Sequence, residues 1–153
     1  MKSQLWKTLS RFVEIKSPWL TLIGEKLQDD QDQILDYWRI EKADSVIVIP
    51  ILNQRLLFPI STYRPGVQQI TLDFPGGRLP LGLAPSQGAV TILNKELAIQ
   101  PGDIRELTPV NQEGWLVNSS FSNQQLYGFV GDILLHRIKD YAVGFLSFTL
   151  RDD

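Results

Sequence analysis

Cysteine is absent from the 153 residues, and histidine occurs once, at His136. Without thiols there is no disulfide framework, no cysteine nucleophile and no thiolate metal site. One imidazole excludes multi-histidine zinc centres and leaves little room for a Ser-His-Asp triad. Set among Leu134, Leu135 and Ile138, His136 reads as the edge of an element rather than as a base. Charge of one sign is equally scarce: 15 basic against 17 acidic side chains leave a net charge of -2. That balance gives no electrostatic footprint for nucleic acid or an anionic membrane. Long apolar runs are missing too. The longest, such as Ser45 to Leu52, fall far short of the roughly 20 residues that a membrane span needs. The opening MKSQLWKTLSRF lacks the apolar core of a signal peptide, so a cytoplasmic location is expected.

What is present is enough for a packed interior, with 43% hydrophobic residues. The length suits a single domain, since domains usually run to about 100 to 200 residues. Leu5, Trp6, Leu9, Phe12 and Val13 recur at three- and four-residue spacing, which predicts a short amphipathic helix ended by Ser17-Pro18. Alternation from Trp19 to Leu27, the polar Gln28 to Gln33 and a second apolar stretch from Ile34 to Ile40 predict an antiparallel hairpin. Ser45 to Leu52 is β-branched almost throughout and reads as a strand buried on both faces, turning at Asn53-Gln54 into Leu56 to Tyr63. Ile70 to Phe74 is a further strand before Pro75-Gly76-Gly77. Helical spacing of Ala89, Ile92, Leu93 and Leu97 predicts a helix over Pro85 to Ile99, stopped by Pro101-Gly102. Strands resume at Ile104 to Val110, Gly114 to Val117, Gln125 to Ile133 and Tyr141 to Leu150. The reading is one α+β domain over residues 1–153, with a helix and hairpin in 1–41 and a core in 42–153.

Several of these pieces, in order, resemble the ADP-ribose pyrophosphatase branch of the Nudix family. They are Ser17-Pro18-Trp19 entering a strand, Ala43-Asp44-Ser45-Val46 opening the central hairpin, Tyr63-Arg64 at its end, Asp73-Phe74-Pro75-Gly76-Gly77, and a helix after a short loop. They cover Ser17 to Ile99, and their order and spacing carry the resemblance rather than any single piece. The resemblance implies an α/β/α sandwich around a mixed β-sheet, with the amino-terminal hairpin as a dimerisation element. It also implies magnesium-assisted hydrolysis of a nucleoside diphosphate derivative.

The family's signature, G-x5-E-x7-R-E-U-x-E-E-x-G-U with U aliphatic, places carboxylates three and four residues apart on one helix face, where they bind a divalent cation against a diphosphate. Aligned from Gly77, the first glutamate position holds Leu83, the R-E pair is Thr91-Ile92, the aliphatic position is Leu93, the E-E pair is Lys95-Glu96, and the last two are Ala98-Ile99. Only Glu96 remains of the four glutamates. Arg105-Glu106-Leu107 does not rescue the box, because it follows Pro101-Gly102 and lacks the paired acids beyond it. Ser119 to Gln125, where the family supplies a further acid, has only amides, hydroxyls and Phe121. The family's further carboxy-terminal helix is also not expected, as the chain ends soon after Leu150.

Each candidate has a functional and a plainer reading. Glu96 is a metal ligand or a solvated helix charge. Lys95 attracts a diphosphate where a carboxylate once sat, or is an exposed lysine favoured by the helix dipole. Arg64 binds phosphate through its planar guanidinium, or forms a structural ion pair with Asp73. Gly76 and Gly77 let backbone approach a ligand, or simply make the turn. Trp19, Trp38 and Trp115 offer faces to an adenine, against core packing or a dimer contact. Asp29-Asp30-Gln31-Asp32 reads as a solvated turn. The expectation is a Nudix-fold protein with impaired catalysis that acts as a homodimeric binding module for an ADP-ribose-like molecule. The expected ligand site lies between Arg64, Gly76-Gly77 and Lys95. The alternatives are a weak or unconventional hydrolase using magnesium on Glu96, and a structural dimer with no nucleotide. Replacing Ile92 and Lys95 by glutamate is expected to rebuild a three-carboxylate face.

Overall fold

The computed structural model describes residues 5–134 and the backbone of residues 143–146. The chain divides into two compact units, one running up to Ala43 and including Leu116–Gln125, the other made of Asp44–Trp115 and the chain from Leu126 on.

The first unit is a three-stranded antiparallel sheet in the order β1 (Lys7–Lys16), β2 (Thr21–Gln28), β3 (Ile34–Glu41). Here the structure corrects the helix expected over Leu5 to Val13, which is strand β1 paired to β2 from Lys7↔Gln28 to Lys16↔Thr21. The reason is local. Register shifts between Thr8 and Ser10 and between Arg11 and Val13 insert extra residues at Leu9 and Phe12, so a strand with bulges acquires the three-residue apolar spacing of a helix. Phe12 then meets Trp38 edge-on, with ring centroids 5.4 Å apart, and both lie over Gly24, where an added Cβ would stand 2.7 Å from the Phe12 ring. The hairpin of β2 and β3 follows expectation. Asp29 accepts hydrogen bonds from the backbone N–H of Gln31 and Gln33, each at 2.8 Å, which is why the acidic run turns rather than extends.

Glu25 is buried on β2 and receives Arg39 Nε at 2.7 Å, with Arg11 Nε 3.7 Å away. The amide-rich stretch Ser119 to Gln125 closes on β3. Ile40 N–H donates to Phe121 O at 2.8 Å, Tyr37 Oη donates to Ser120 O, and Lys42 N–H donates to Asn123 Oδ1 at 2.9 Å.

The second unit holds a seven-stranded mixed sheet. Its strands are β4 (Ser45–Leu52), β5 (Arg55–Pro59), β8 (Gly76–Arg78), β9 (Ile104–Pro109), β10 (Trp115–Leu116), β11 (Gln125–Ile133) and β12 (Val143–Leu146). The order is β10-β11-β4-β5-β12, with β8 on β4 and β9 on β11, and the β4–β11 pair is parallel. A separate hairpin joins β6 (Thr62–Arg64) to β7 (Gln69–Thr71). In β4 the residues Val46, Val48, Pro50 and Leu52 are buried while their neighbours are half-buried, so one face is fully covered instead of both.

What covers the second unit's core is helix α1 (Pro85–Leu97), the one α-helix among the described residues, through Gly88, Ala89, Ile92, Leu93 and Leu97. Pro85 suits the first turn, where no N–H is needed. Ala98 ends the helix in the left-handed region at φ 55°, its N–H returning to Asn94 O at 3.0 Å, the usual way to satisfy terminal carbonyls. Val46, Val48, Leu57 and Leu93 are fully buried, each contributing about 1.5 to 3 kcal/mol. No helix among the described residues is long and apolar enough to cross a membrane. His136 and the flanks of the expected Tyr141 to Leu150 strand lie outside the described residues.

Candidate functional site

Strand alternation in the β6–β7 hairpin sets Thr62 and Arg64 on one face and Tyr63 on the other, with Thr62 opposite Thr71 across the pair. The segment after β7 is held on two sides. Phe74 stacks on Phe58 at 4.6 Å, and Pro75 O accepts from Val48 N–H at 2.9 Å. These anchors bring Asp73 beside Arg64. A cleft of about 260 Å³ results, lined by Pro59, Ile60, Thr62, Arg64, Thr71, Asp73 and, from the last turns of α1, Glu96.

The polar groups in the cleft are already arranged. Arg64 Nε donates to Asp73 Oδ2 at 2.8 Å and Thr71 Oγ1 donates to the same oxygen at 2.7 Å. The Thr71 hydroxyl first, and then the guanidinium, hold the Asp73 carboxyl below the usual carboxylate range. Both members of the ion pair are about half exposed, 52% and 44%, so its contribution to stability is small, about 0 to 1 kcal/mol. Glu96 Oε2 accepts from Gly76 N–H at 3.3 Å. Gly76 is tightly placed, since an added Cβ would lie 3.1 Å from Val46 O.

The structure therefore brings Arg64, Gly76 and Glu96 to one place, with Asp73 as the partner of Arg64. Lys95 is different: it is exposed in the last helical turn and does not line the cleft. Gly77 sits over Ile92, whose Cδ1 would be 3.8 Å from a Cβ at that glycine. Ile92, at the position of a box carboxylate, is 7% exposed and belongs to the core, while Leu83 packs against that core from its edge. Thr91 turns its hydroxyl back to Gln87 O at 2.9 Å. Arg105 stands on strand β9 and pairs with Asp132 of β11 at 2.9 Å, at a second cleft of about 370 Å³ with Asn53 and Gln54. It is no part of a helical box. Trp19, Trp38 and Trp115 are exposed, and none lines the first cleft.

Thr62 and Thr71 were not singled out by sequence. Their signal is the period-two relation of Thr62 to Arg64, which becomes informative only once the facing strand and its register are known. Among the described residues no group of three or more histidine, aspartate or glutamate side chains could hold a metal ion.

No protein-family model matches the sequence, and no curated protein matches it. A matching solved structure is the crystal structure of an ADP compounds hydrolase, at a TM-score of 0.70 and 16% identity, covering 95% of this chain and 79% of that one. The likeness shows the fold, the strand-rich α+β arrangement of Nudix type expected from the residues.

Proposed function

We propose that this chain is a binding module on a Nudix-type fold, one that takes an ADP-ribose-like nucleotide sugar without hydrolysing it. The observation that carries the proposal is the state of α1. At the two box positions nearest the glycine turn, Ile92 is packed in the core and Glu96 is engaged by Gly76 N–H. The shared fold with a hydrolase of ADP compounds supports the ligand class.

Magnesium, which the resembled family uses, is poorly served by these residues. It requires carboxylate oxygens, usually completed by waters and substrate phosphates. Asp73 already faces the Arg64 cation, and Glu96 is the one carboxylate that the helix offers to the cleft. The alternative of a weak hydrolase rests on that same Glu96. Assay of ADP-ribose cleavage with and without magnesium is expected to show no turnover above background, alongside ADP-ribose-dependent thermal stabilisation that magnesium does not alter. Magnesium-dependent turnover that Glu96→Gln removes is the result that overturns the proposal.

A second reading, a homodimer built on the first unit, is supported by a different observation. Leu9, Phe12, Ile15, Ile34 and Trp38 are large, apolar and exposed on the three-stranded sheet, whose β1 forms an edge. Such a patch is of the kind that marks interaction surfaces.

A further inference from the structure

On the reading that the cleft beside β6 and β7 is a ligand site, we infer that its occupant is the hydroxylated sugar of the ligand and not the diphosphate. Charge comes first. One guanidinium stands against the carboxylates of Asp73 and Glu96, and its Nε is already bonded to Asp73. A diphosphate placed here meets two carboxylates and one guanidinium, and the described lining holds no second cation. A sugar is neutral and meets no such opposition.

The free hydrogen-bonding capacity of the lining suits a sugar as well. Asp73 uses Oδ2 for both Arg64 and Thr71, and Glu96 uses Oε2 for Gly76, so each carboxylate keeps a second oxygen to accept from a hydroxyl. Arg64 keeps its terminal nitrogens to donate, and Thr62 Oγ1 can do either. A vicinal diol, whose hydroxyls both donate and accept, satisfies acceptors and donors alternating in this way. Pro59 and Ile60 form an apolar wall for the C–H face of a sugar ring. Size agrees: about 260 Å³ lies below the roughly 300 to 1,000 Å³ of sites that enclose drug-sized ligands. That is room for one sugar ring, with the rest of the ligand outside the cleft.

The test is amide chemical-shift perturbation in the isotope-labelled full chain, titrated with D-ribose and, at matched ionic strength without divalent cation, with inorganic pyrophosphate. Ribose is expected to move the Thr62, Thr71, Asp73 and Gly76 amides saturably, and pyrophosphate to leave them in place. Asp73→Asn and Glu96→Gln should each weaken ribose binding by about tenfold, the loss of one charge-assisted hydrogen bond. Glu96→Gln keeps an oxygen for Gly76 N–H, so it reads the charge without loosening the turn. Asp132→Asn in the second cleft should change nothing. Shifts with pyrophosphate alone, or equally with both probes, overturn the sugar assignment while leaving the cleft a ligand site. No shift at these amides with either probe overturns both readings.

Discussion

Restoring glutamate at Ile92 and Lys95 looks, from the sequence, like the repair of a metal site; the structure says that it unfolds the helix's packing instead. Ile92 is 7% exposed and sits with Ala89, Leu93 and Val46 in the core. Losing an isoleucine from such a site removes about 1.5 to 3 kcal/mol of burial. Leaving a polar group there without partners costs about 1 to 3 kcal/mol more. Lys95 is exposed in the last turn, so Lys95→Glu adds only the lost dipole interaction, about 0.3 to 1 kcal/mol. The double variant is therefore expected to lose about 3 to 7 kcal/mol, a large part of the 5 to 15 kcal/mol typical of a folded domain.

Urea unfolding with and without millimolar magnesium measures this. Burial raises the pKa of the introduced carboxyl above its unfolded value. The deficit should then be full at neutral pH and shrink as pH falls toward the unfolded carboxyl value of about 4.3. Ile92→Gln, which does not titrate, should show a deficit independent of pH. A double variant as stable as the native chain, and further stabilised by magnesium in a way that Glu96→Gln cancels, would refute the reasoning and show that position 92 opens onto the cleft.

Arg64→Glu should leave the unfolding midpoint nearly unchanged, because the pair it breaks is half exposed, yet abolish ADP-ribose binding by removing the one guanidinium donor that lines the cleft. Normal binding by that variant places the site elsewhere. In the first unit, Lys16 first and then Arg11 depress Glu14 from an ordinary 4.5 to about 2. Its contribution is present above pH 4.5 and lost as pH falls toward 2, so Glu14→Gln should flatten part of the acid limb of stability against pH, and an unchanged limb counts against the ion pairs. Light scattering at micromolar concentration should give the mass of a dimer, and a monomer mass removes the proposed role of the apolar sheet.

How much of this could be read from the residues depends on how local each signal is. Strands β2, β3, β4, β9 and β11 follow from β-branched and alternating runs bounded by turn residues, and α1 from four apolar positions between Pro85 and Pro101. Turn chemistry at Asp29 is local as well. Strand β1 was not legible as a strand, because two bulges disguise its period. The depth of Ile92 was not legible either: a box alignment names the position but does not reveal which side of the helix meets the sheet. Thr62 and Thr71 come together through strand register, and the Ser119 to Gln125 stretch finds its use by bonding to β3. Pairing between distant segments decides these features.

A helix that presents carboxylates to a diphosphate must keep that face out of the core, with like charges gathered where a cation will later screen them. Here the corresponding face has been given to packing. Ile92 fills the space beneath Gly77, and the remaining carboxylate, Glu96, takes the N–H of Gly76. Both contacts tie the glycine turn to α1, so they secure the geometry by which β8 pairs with β4 from Ile47↔Gly76 to Ser45↔Arg78. Ile92 has no oxygen to offer a metal ion, and Glu96 divides its carboxylate between Gly76 N–H and the cleft. The positions that secure the loop are thus the ones that the aligned signature gives to carboxylates. On the proposed reading, the cleft offers an arginine and hydroxyls to a ligand while the helix face beside it serves the packing of the glycine turn.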